Sequence, residues 1–162
     1  MKNLFDATVC NVYLKPGEVY VARHPALVST VLGSCVSVVL HAPRDSVGAI
    51  CHAVLPGGSE NDDFRYVDKA VSYLYNRLTA LCGGADGIEA KLFGGADVLN
   101  SGVRKDGAPS VGNRNVEAAL QVLDTLGLKV SAADTGGIRG RKLFFYSRSG
   151  EVFVRQVRKS FR

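Results

Sequence analysis

The sequence has 162 residues, of which 46% are apolar and 22% charged, and this composition fits one globular domain spanning 1–162. No apolar run reaches the roughly 18 residues of a membrane span, and no leader-like apolar stretch follows Met1, so we expect a cytoplasmic protein without membrane insertion. Lys and Arg number 20 against 15 Asp and Glu, which gives a net charge of +5 and a basic tail over about 155–162. Because no nucleic-acid-binding signature accompanies this charge, we expect no nucleic-acid partner.

The first third of the chain has the pattern of short strands separated by turns. Apolar and β-branched runs predict strands over 7–14, 19–21, 27–32, 36–40 and 47–55. A Pro-Gly pair predicts the turn after the first strand, and Gly33-Ser34 interrupts the chain between the third and the fourth.

The rest of the chain contains two stretches of helical period. The first covers 64–81, where Asp62 or Asp63 is expected to cap its start and a Gly-Gly pair to end it. The second begins near Asn113, after a Gly-, Ser- and Asn-rich loop over 100–113, and ends at Gly127.

Further strands are predicted around and after these helices. They cover 88–93, 128–132 and a hairpin of 142–147 with 151–157, and a turn is expected at 134–137. The total of about eight to ten strands and two helices, with the early strands adjacent in sequence, favours an α+β layered fold over a doubly wound sheet.

The chain has four cysteines, and none of them forms a C-x-x-C pair. They are Cys10, Cys35, Cys51 and Cys82. This spacing does not support a zinc ribbon or a thioredoxin-type motif, and the histidines add no ligand spacing, so we expect no metal and no cofactor. In a reducing compartment each thiol would remain free.

Cys35 and His52 lie in or beside two apolar runs that could form neighbouring strands. A thiol beside an imidazole is the minimum equipment for a cysteine nucleophile. From spacing alone, however, a buried cysteine and a satisfied core histidine are the more frequent outcome. Nearby hydroxyls on Ser29, Thr30 and Ser34 could orient the imidazole or could cap local backbone groups.

Five short blocks resemble the CheD family of chemoreceptor glutamine deamidases, in the family's own order. They are the segments at 32–36, 52–56, 91–96, 111–115 and 134–137. The resemblance implies a β/β/α layered fold similar to the catalytic domain of cytotoxic necrotizing factor toxins. It also implies hydrolysis of receptor glutamine side chains to glutamate, and for some members hydrolysis of glutamate methyl esters.

The resemblance also implies a catalytic cysteine, histidine and threonine. Cys35 and His52 match the first two, whereas the threonine position corresponds to Ser29, with Thr30 next to it. We expect Ser29 to fill this role, because a slip of one residue along a strand turns the side chain to the other face. Backbone groups of Gly33 and Ser34 are expected to stabilise the oxyanion.

Further residues also receive assignments. Gly94, Gly95, Asn113 and Arg114 are expected to flank the substrate, and the three remaining cysteines to be structural. The implied partners are methyl-accepting chemoreceptors, as protein substrate, and a CheC-type phosphatase. Two alternatives stay open: a chain that mainly binds and regulates CheC and receptors without catalysis, and a cysteine hydrolase of an unrelated small amide.

Overall fold

The computed structural model describes residues 9–58, 60–99 and 107–158 of the chain. Within these ranges the strands are β1 (Cys10–Tyr13), β2 (Val19–Ala22), β3 (Ala26–Leu32), β4 (Val36–Ala42), β5 (Val47–Cys51), β6 (Glu89–Gly94), β7 (Val130–Thr135), β8 (Arg141–Tyr146) and β9 (Val152–Gln156). The helices are α1 (Val67–Cys82) and α2 (Val111–Thr125). Neither of these helices has the length and apolarity needed to cross a membrane.

The strands form two sheets. One has four strands in the order β1-β3-β8-β9, and the other has five in the order β2-β5-β4-β6-β7. Both helices pack on the five-stranded sheet, which therefore lies between the helices and the four-stranded sheet. The layered β/β/α arrangement expected from the sequence is confirmed.

The central position of the five-stranded sheet explains the composition of β4, in which every residue is buried. Val36, Val38 and Leu40 face the helices, whereas Val39 packs between the two sheets with Ile50 of β5. A strand covered on both faces is apolar at nearly every position. Two cores result, one on each side of this sheet.

Helix α1 begins later than its apolar spacing suggests. Tyr66 occupies the N-cap in an extended conformation and makes no side-chain cap bond. The expected cap at Asp62 or Asp63 is wrong, because the Asp63 carboxylate accepts hydrogen bonds from the Arg65 backbone N–H at 2.9 Å and from its side chain. Phe64 precedes the helix and packs its ring 4.6 Å from that of Tyr73.

Other boundaries also move. Ser110 caps α2 by accepting a bond from the Asn113 N–H at 3.1 Å, so this helix starts before Asn113. Strand β7 continues through Asp134 and Thr135, where a turn was expected, because it pairs in parallel with β6 as far as Gly94. Residues 7–8 of the first predicted strand, 100–106 of the predicted loop and 159–162 of the basic tail lie outside the described residues.

Candidate active site

Cys35 and His52 are brought together by a short antiparallel bridge between Val36 and Ala53. The Val36 N–H donates to the Ala53 carbonyl at 3.0 Å, and the Ala53 N–H donates to the Val36 carbonyl at 2.9 Å. Extending this register places Cys35 opposite Val54, and therefore places His52 diagonally across from Cys35. Such diagonal neighbours have Cα atoms roughly 7–8 Å apart, within reach of an aromatic side chain.

The two side chains also share a face. Val36 and Ala53 belong to the core beneath the helices. Because successive side chains along a strand alternate, Cys35 and His52 point the other way, towards the four-stranded sheet. Cys35 packs at the edge of the core between the two sheets, and His52 is hydrogen-bonded to β3 of the opposite sheet. The thiol and the imidazole therefore lie on the same face, between the two sheets.

Residues 33–35, called the nucleophile loop after the role expected of Cys35, are held by the segment after β6. The Gly33 carbonyl accepts from the Ala96 N–H at 2.9 Å, and the Cys35 carbonyl accepts from the Gly95 N–H at 2.9 Å. Gly94 has a φ of +105°, and a Cβ there would collide with the Cys35 carbonyl. Gly94 and Gly95, expected to flank a substrate, therefore support the backbone of the nucleophile loop.

The His52 imidazole is fixed by a chain of hydrogen bonds. Its Nδ1 lies 2.7 Å from the Thr30 hydroxyl, which donates its own proton to the Leu14 carbonyl, also at 2.7 Å. A hydroxyl has a single proton, so once it donates to a carbonyl it can only accept from the ring. Nδ1 therefore carries the proton of the neutral imidazole, and Nε2 has the free lone pair.

Thr30, and not Ser29, contacts the imidazole. Thr30 is fully buried and lies on the face of β3 that carries Val28 and Leu32 into the core between the sheets. Ser29 lies on the opposite, outer face, where its neighbour across the sheet is Phe144 of β8. The expectation that Ser29 orients His52 is corrected by this alternation, which places the Thr30 hydroxyl against the imidazole instead.

The local environment keeps both reactive groups neutral at rest. His52 is 2% exposed, and its burial lowers its pKa to about 4, although the Leu14 carbonyl and the charge of Glu18 oppose this shift. Burial likewise raises the pKa of the Cys35 thiol, and its own backbone N–H partly counteracts this. At neutral pH the pair is therefore a thiol and an imidazole, with the ring available as a base.

Cys51 precedes His52 but lies on the other face of the sheet. It is buried in the core beneath the helices and accepts a weak bond from the Val38 N–H at 3.4 Å. Burial raises the pKa of this thiol to about 12, so it stays protonated and chemically inert.

Two polar residues that the sequence did not single out support the site. Asn115 is fully buried in α2 and bonds to the carbonyls of Ser34 and Val54 at 2.9 and 3.0 Å. The only feature of the sequence that marks Asn115 is that a polar residue lies on the apolar face of the helix, four positions before Ala119. Arg141 is equally unexpected.

Arg141 is 4% exposed and binds three groups beside the nucleophile loop. Its guanidinium donates to the Asp134 carboxylate at 3.2 Å, to the Gly94 carbonyl at 3.3 Å and to the Gly136 carbonyl at 2.7 Å. A buried arginine needs such partners to satisfy its five N–H groups. Arg141 thereby holds the end of β6, next to the segment that supports the nucleophile loop.

The remaining predicted site residues lie on the protein surface. Asn113 and Arg114 are exposed on the first turn of α2, and Arg114 lines a groove of about 540 Å³ together with Pro56. A separate cavity of about 230 Å³ opens at Ser34 and Val54. Among residues 9–58, 60–99 and 107–158, no three His, Cys, Asp or Glu side chains cluster in a way that could hold a metal ion.

Known proteins resemble this chain over most of its length. A family model described as "CheD chemotactic sensory transduction" matches residues 54–156. "Probable chemoreceptor glutamine deamidase CheD 2" of Geobacter sulfurreducens is 46% identical over 93% of this chain and 92% of its own length. Proteins named "Probable chemoreceptor glutamine deamidase CheD" are 44% identical in Maridesulfovibrio salexigens, over 95% and 96% of the two chains, and 40% identical in Nitratidesulfovibrio vulgaris, over 97% and 82%.

Proposed function

Because this chain belongs to the CheD family, we propose that it is a cysteine hydrolase that deamidates glutamine side chains of chemoreceptors. Cys35 is the nucleophile, His52 the general base and acid, and Thr30 the residue that orients the imidazole. The observation that carries the proposal is the hydrogen bond of 2.7 Å between Thr30 and His52, since it leaves Nε2 free to accept the thiol proton. The reaction as proposed uses only protein groups and water.

The first half of the reaction forms a thioester. His52 Nε2 takes the proton from the Cys35 thiol as the sulfur attacks the carboxamide carbon of glutamine. The C=O double bond opens to an oxyanion. When it re-forms, the C–N bond breaks and the imidazolium gives its proton to the departing nitrogen, so ammonia leaves.

The second half releases glutamate. His52, neutral again, takes a proton from water, and the hydroxide attacks the thioester carbon. The C–S bond then breaks, the imidazolium returns its proton to sulfur, and Cys35 is regenerated as a thiol. A glutamate methyl ester could follow the same route with methanol as the leaving group.

The oxyanion is stabilised by backbone donors of the nucleophile loop. In the part of the chain that the structure describes, neither the Ser34 nor the Cys35 N–H donates to a backbone carbonyl. Both groups are therefore available at the turn that carries the thiol. Donors fixed before the reaction begins stabilise the developing charge without reorganisation.

The exposed apolar surface beside the nucleophile loop suits a macromolecular substrate. A Cβ on Gly33 would lie 3.6 Å from the Val98 side chain, so this surface adjoins the loop directly. A cavity of about 420 Å³ is lined there by Arg139, Arg158 and four exposed apolar side chains, namely Val98, Leu99, Ile138 and Val157. Exposed apolar patches with a polar rim mark interaction surfaces, and we assign this one, the docking patch, to the receptor.

Two finer parts of the proposal rest on the family resemblance. A CheC-type phosphatase is a second protein partner, and the protein acts in the cytoplasm. The four free cysteines are consistent with a reducing compartment.

The test is incubation of the protein with the cytoplasmic part of a chemoreceptor from the same organism, with ammonia release and glutamine-to-glutamate conversion as readouts. The wild-type protein should convert specific glutamines, Cys35→Ala should convert none, and Cys51→Ala should retain activity because that thiol lies in the other core. Equal loss in both cysteine variants would contradict the assignment of the nucleophile. Turnover of free glutamine but not of receptor would favour the small-amide hydrolase.

A further inference from the structure

Asn115 joins the two backbone segments that carry Cys35 and His52. It lies on the first turns of α2 and is fully buried. Its side-chain amide donates both protons, one to the Ser34 carbonyl at 2.9 Å and the other to the Val54 carbonyl at 3.0 Å. Ser34 immediately precedes Cys35, and Val54 lies two positions after His52. A single amide group therefore bridges the two halves of the catalytic pair.

The two carbonyls that Asn115 binds have no backbone partner in the described ranges. Among the described residues, neither the Ser34 nor the Val54 carbonyl accepts a backbone hydrogen bond. The neighbouring carbonyls of Gly33 and Cys35 are held by the segment after β6, so Asn115 supplies the one contact that this segment does not. With it, all three carbonyls of the nucleophile loop have fixed partners.

Burying the Asn115 amide costs free energy, which indicates that its two hydrogen bonds have a function. Its Oδ1 is buried and, within the part of the chain that the structure describes, has no hydrogen-bond partner. An unsatisfied buried acceptor destabilises a fold, and a leucine, whose side chain has the same branching and no polar atom, would avoid that cost. The two donated bonds are what an apolar side chain could not provide.

The planarity of the peptide bond links Asn115 to catalysis. The Ser34 carbonyl and the Cys35 N–H belong to one planar trans peptide unit and point in opposite directions. A donor that fixes the carbonyl therefore also fixes the direction of the N–H. It also polarises the peptide, because a bonded carbonyl makes the N–H of the same unit a stronger donor.

Resting on the function proposed above, we propose that Asn115 is a positioning residue that orients and polarises the Cys35 N–H as an oxyanion donor. Its second bond, to Val54, sets this peptide against the strand that carries His52. Asn115 acts through the nucleophile loop and does not touch the substrate.

Two reactions of Cys35 separate this role from general support of the fold. Deamidation passes through an oxyanion, whereas alkylation by iodoacetamide is a direct displacement at carbon that needs the thiolate but no oxyanion donor. Asn115→Leu should therefore lower kcat for receptor deamidation by roughly 10- to 100-fold. Its KM and the rate of Cys35 alkylation, followed by peptide mass spectrometry, should change by less than about threefold.

The matched control is Leu123→Ala, which removes a buried side chain from the same helix without touching the nucleophile loop. This variant should melt at a lower temperature but keep its kcat below the melting range. If Asn115→Leu does not fold, Asn115→Ala replaces it, because the smaller side chain admits water to both carbonyls. Asn115→Gln, which keeps the amide on a longer stem, should fall between wild type and leucine.

Two results would overturn the inference. One is an Asn115 variant with wild-type kcat, and the other is a loss of deamidation matched by an equal loss of alkylation, which would assign Asn115 to the thiol or the fold as a whole. A wild-type protein that converts no receptor glutamine would instead overturn the proposed function, and the inference with it.

Discussion

The Thr30 hydroxyl lies 2.7 Å from Nδ1 of His52, across the space between two sheets. This bond joins the strand that leads to Cys35 with the segment that carries the imidazole. It also fixes the tautomer, because the same hydroxyl donates to the Leu14 carbonyl. The relationship yields the first prediction.

Replacing Thr30 by valine keeps the shape of the side chain but removes the hydroxyl that holds His52. The imidazole would lose its orientation, so we expect kcat for deamidation to fall by roughly tenfold or more. This loss should be smaller than the roughly 100-fold or greater loss expected from removing the base itself. Thr30→Ser should retain most activity, since the hydroxyl remains. Steady-state ammonia release measures these rates.

Ser29→Ala is the matched control for Thr30, because Ser29 lies on the outer face of the same strand. Its kcat should equal that of the wild type. A loss at Ser29 with full activity of Thr30→Val would show that the family's third catalytic position is Ser29 after all.

Burial of His52 makes the free energy of unfolding depend on pH. The folded protein binds this proton only below a pKa of about 4, whereas the unfolded chain binds it below the ordinary value of 6.5. Between these values the unfolded state holds more protons, so the stabilisation is complete above pH 6.5 and is lost as pH falls towards 4. The full effect of this shift is about 3 kcal/mol.

Urea unfolding at pH 7 and pH 4.5 of the wild type and of His52→Gln measures this contribution. The wild type should lose about 2 kcal/mol more than the variant over this interval, because glutamine does not titrate. Identical losses in both proteins would mean that His52 does not titrate at a lowered pKa.

The docking patch predicts that a charge placed on it weakens receptor binding without affecting Cys35 itself. Leu99 is 94% exposed, so Leu99→Asp should leave the fold and Cys35 alkylation unchanged. Because the carboxylate opposes apolar contact, KM for receptor deamidation should rise by roughly tenfold. Glu151→Asp, a conservative change at an exposed position outside the docking patch, is the control. An unchanged KM in Leu99→Asp would remove this surface from receptor binding.

The sequence predicted the layers of the fold, because β-branched runs separated by short turns favour consecutive strands. It also allowed Cys35 and His52 to lie on neighbouring segments, and the bridge between Val36 and Ala53 places them so. It did not reveal which hydroxyl faces the imidazole. Along β3 the alternation is hidden, since Leu27 and Val31 on the outer face are as apolar as Val28 and Leu32 on the inner face. Only the register of the pairing distinguishes Thr30 from Ser29.

The start of α1 and the role of Asn115 were hidden for a different reason. Asp63 forms hydrogen bonds with Arg65 instead of capping the helix. Asn115 forms hydrogen bonds with backbone carbonyls more than 60 positions away in the chain. Such partners become visible only when the layers have been assembled.

Cys35 is proposed to form the covalent intermediate. The most direct measurement of this is acid quenching of the protein during turnover of a receptor fragment, followed by proteolysis and mass spectrometry of the cysteine-containing peptides. We expect a glutamyl thioester on Cys35, none on Cys10, Cys51 or Cys82, and no turnover by Cys35→Ala. Conversion of receptor glutamine by Cys35→Ala at the wild-type rate would contradict it.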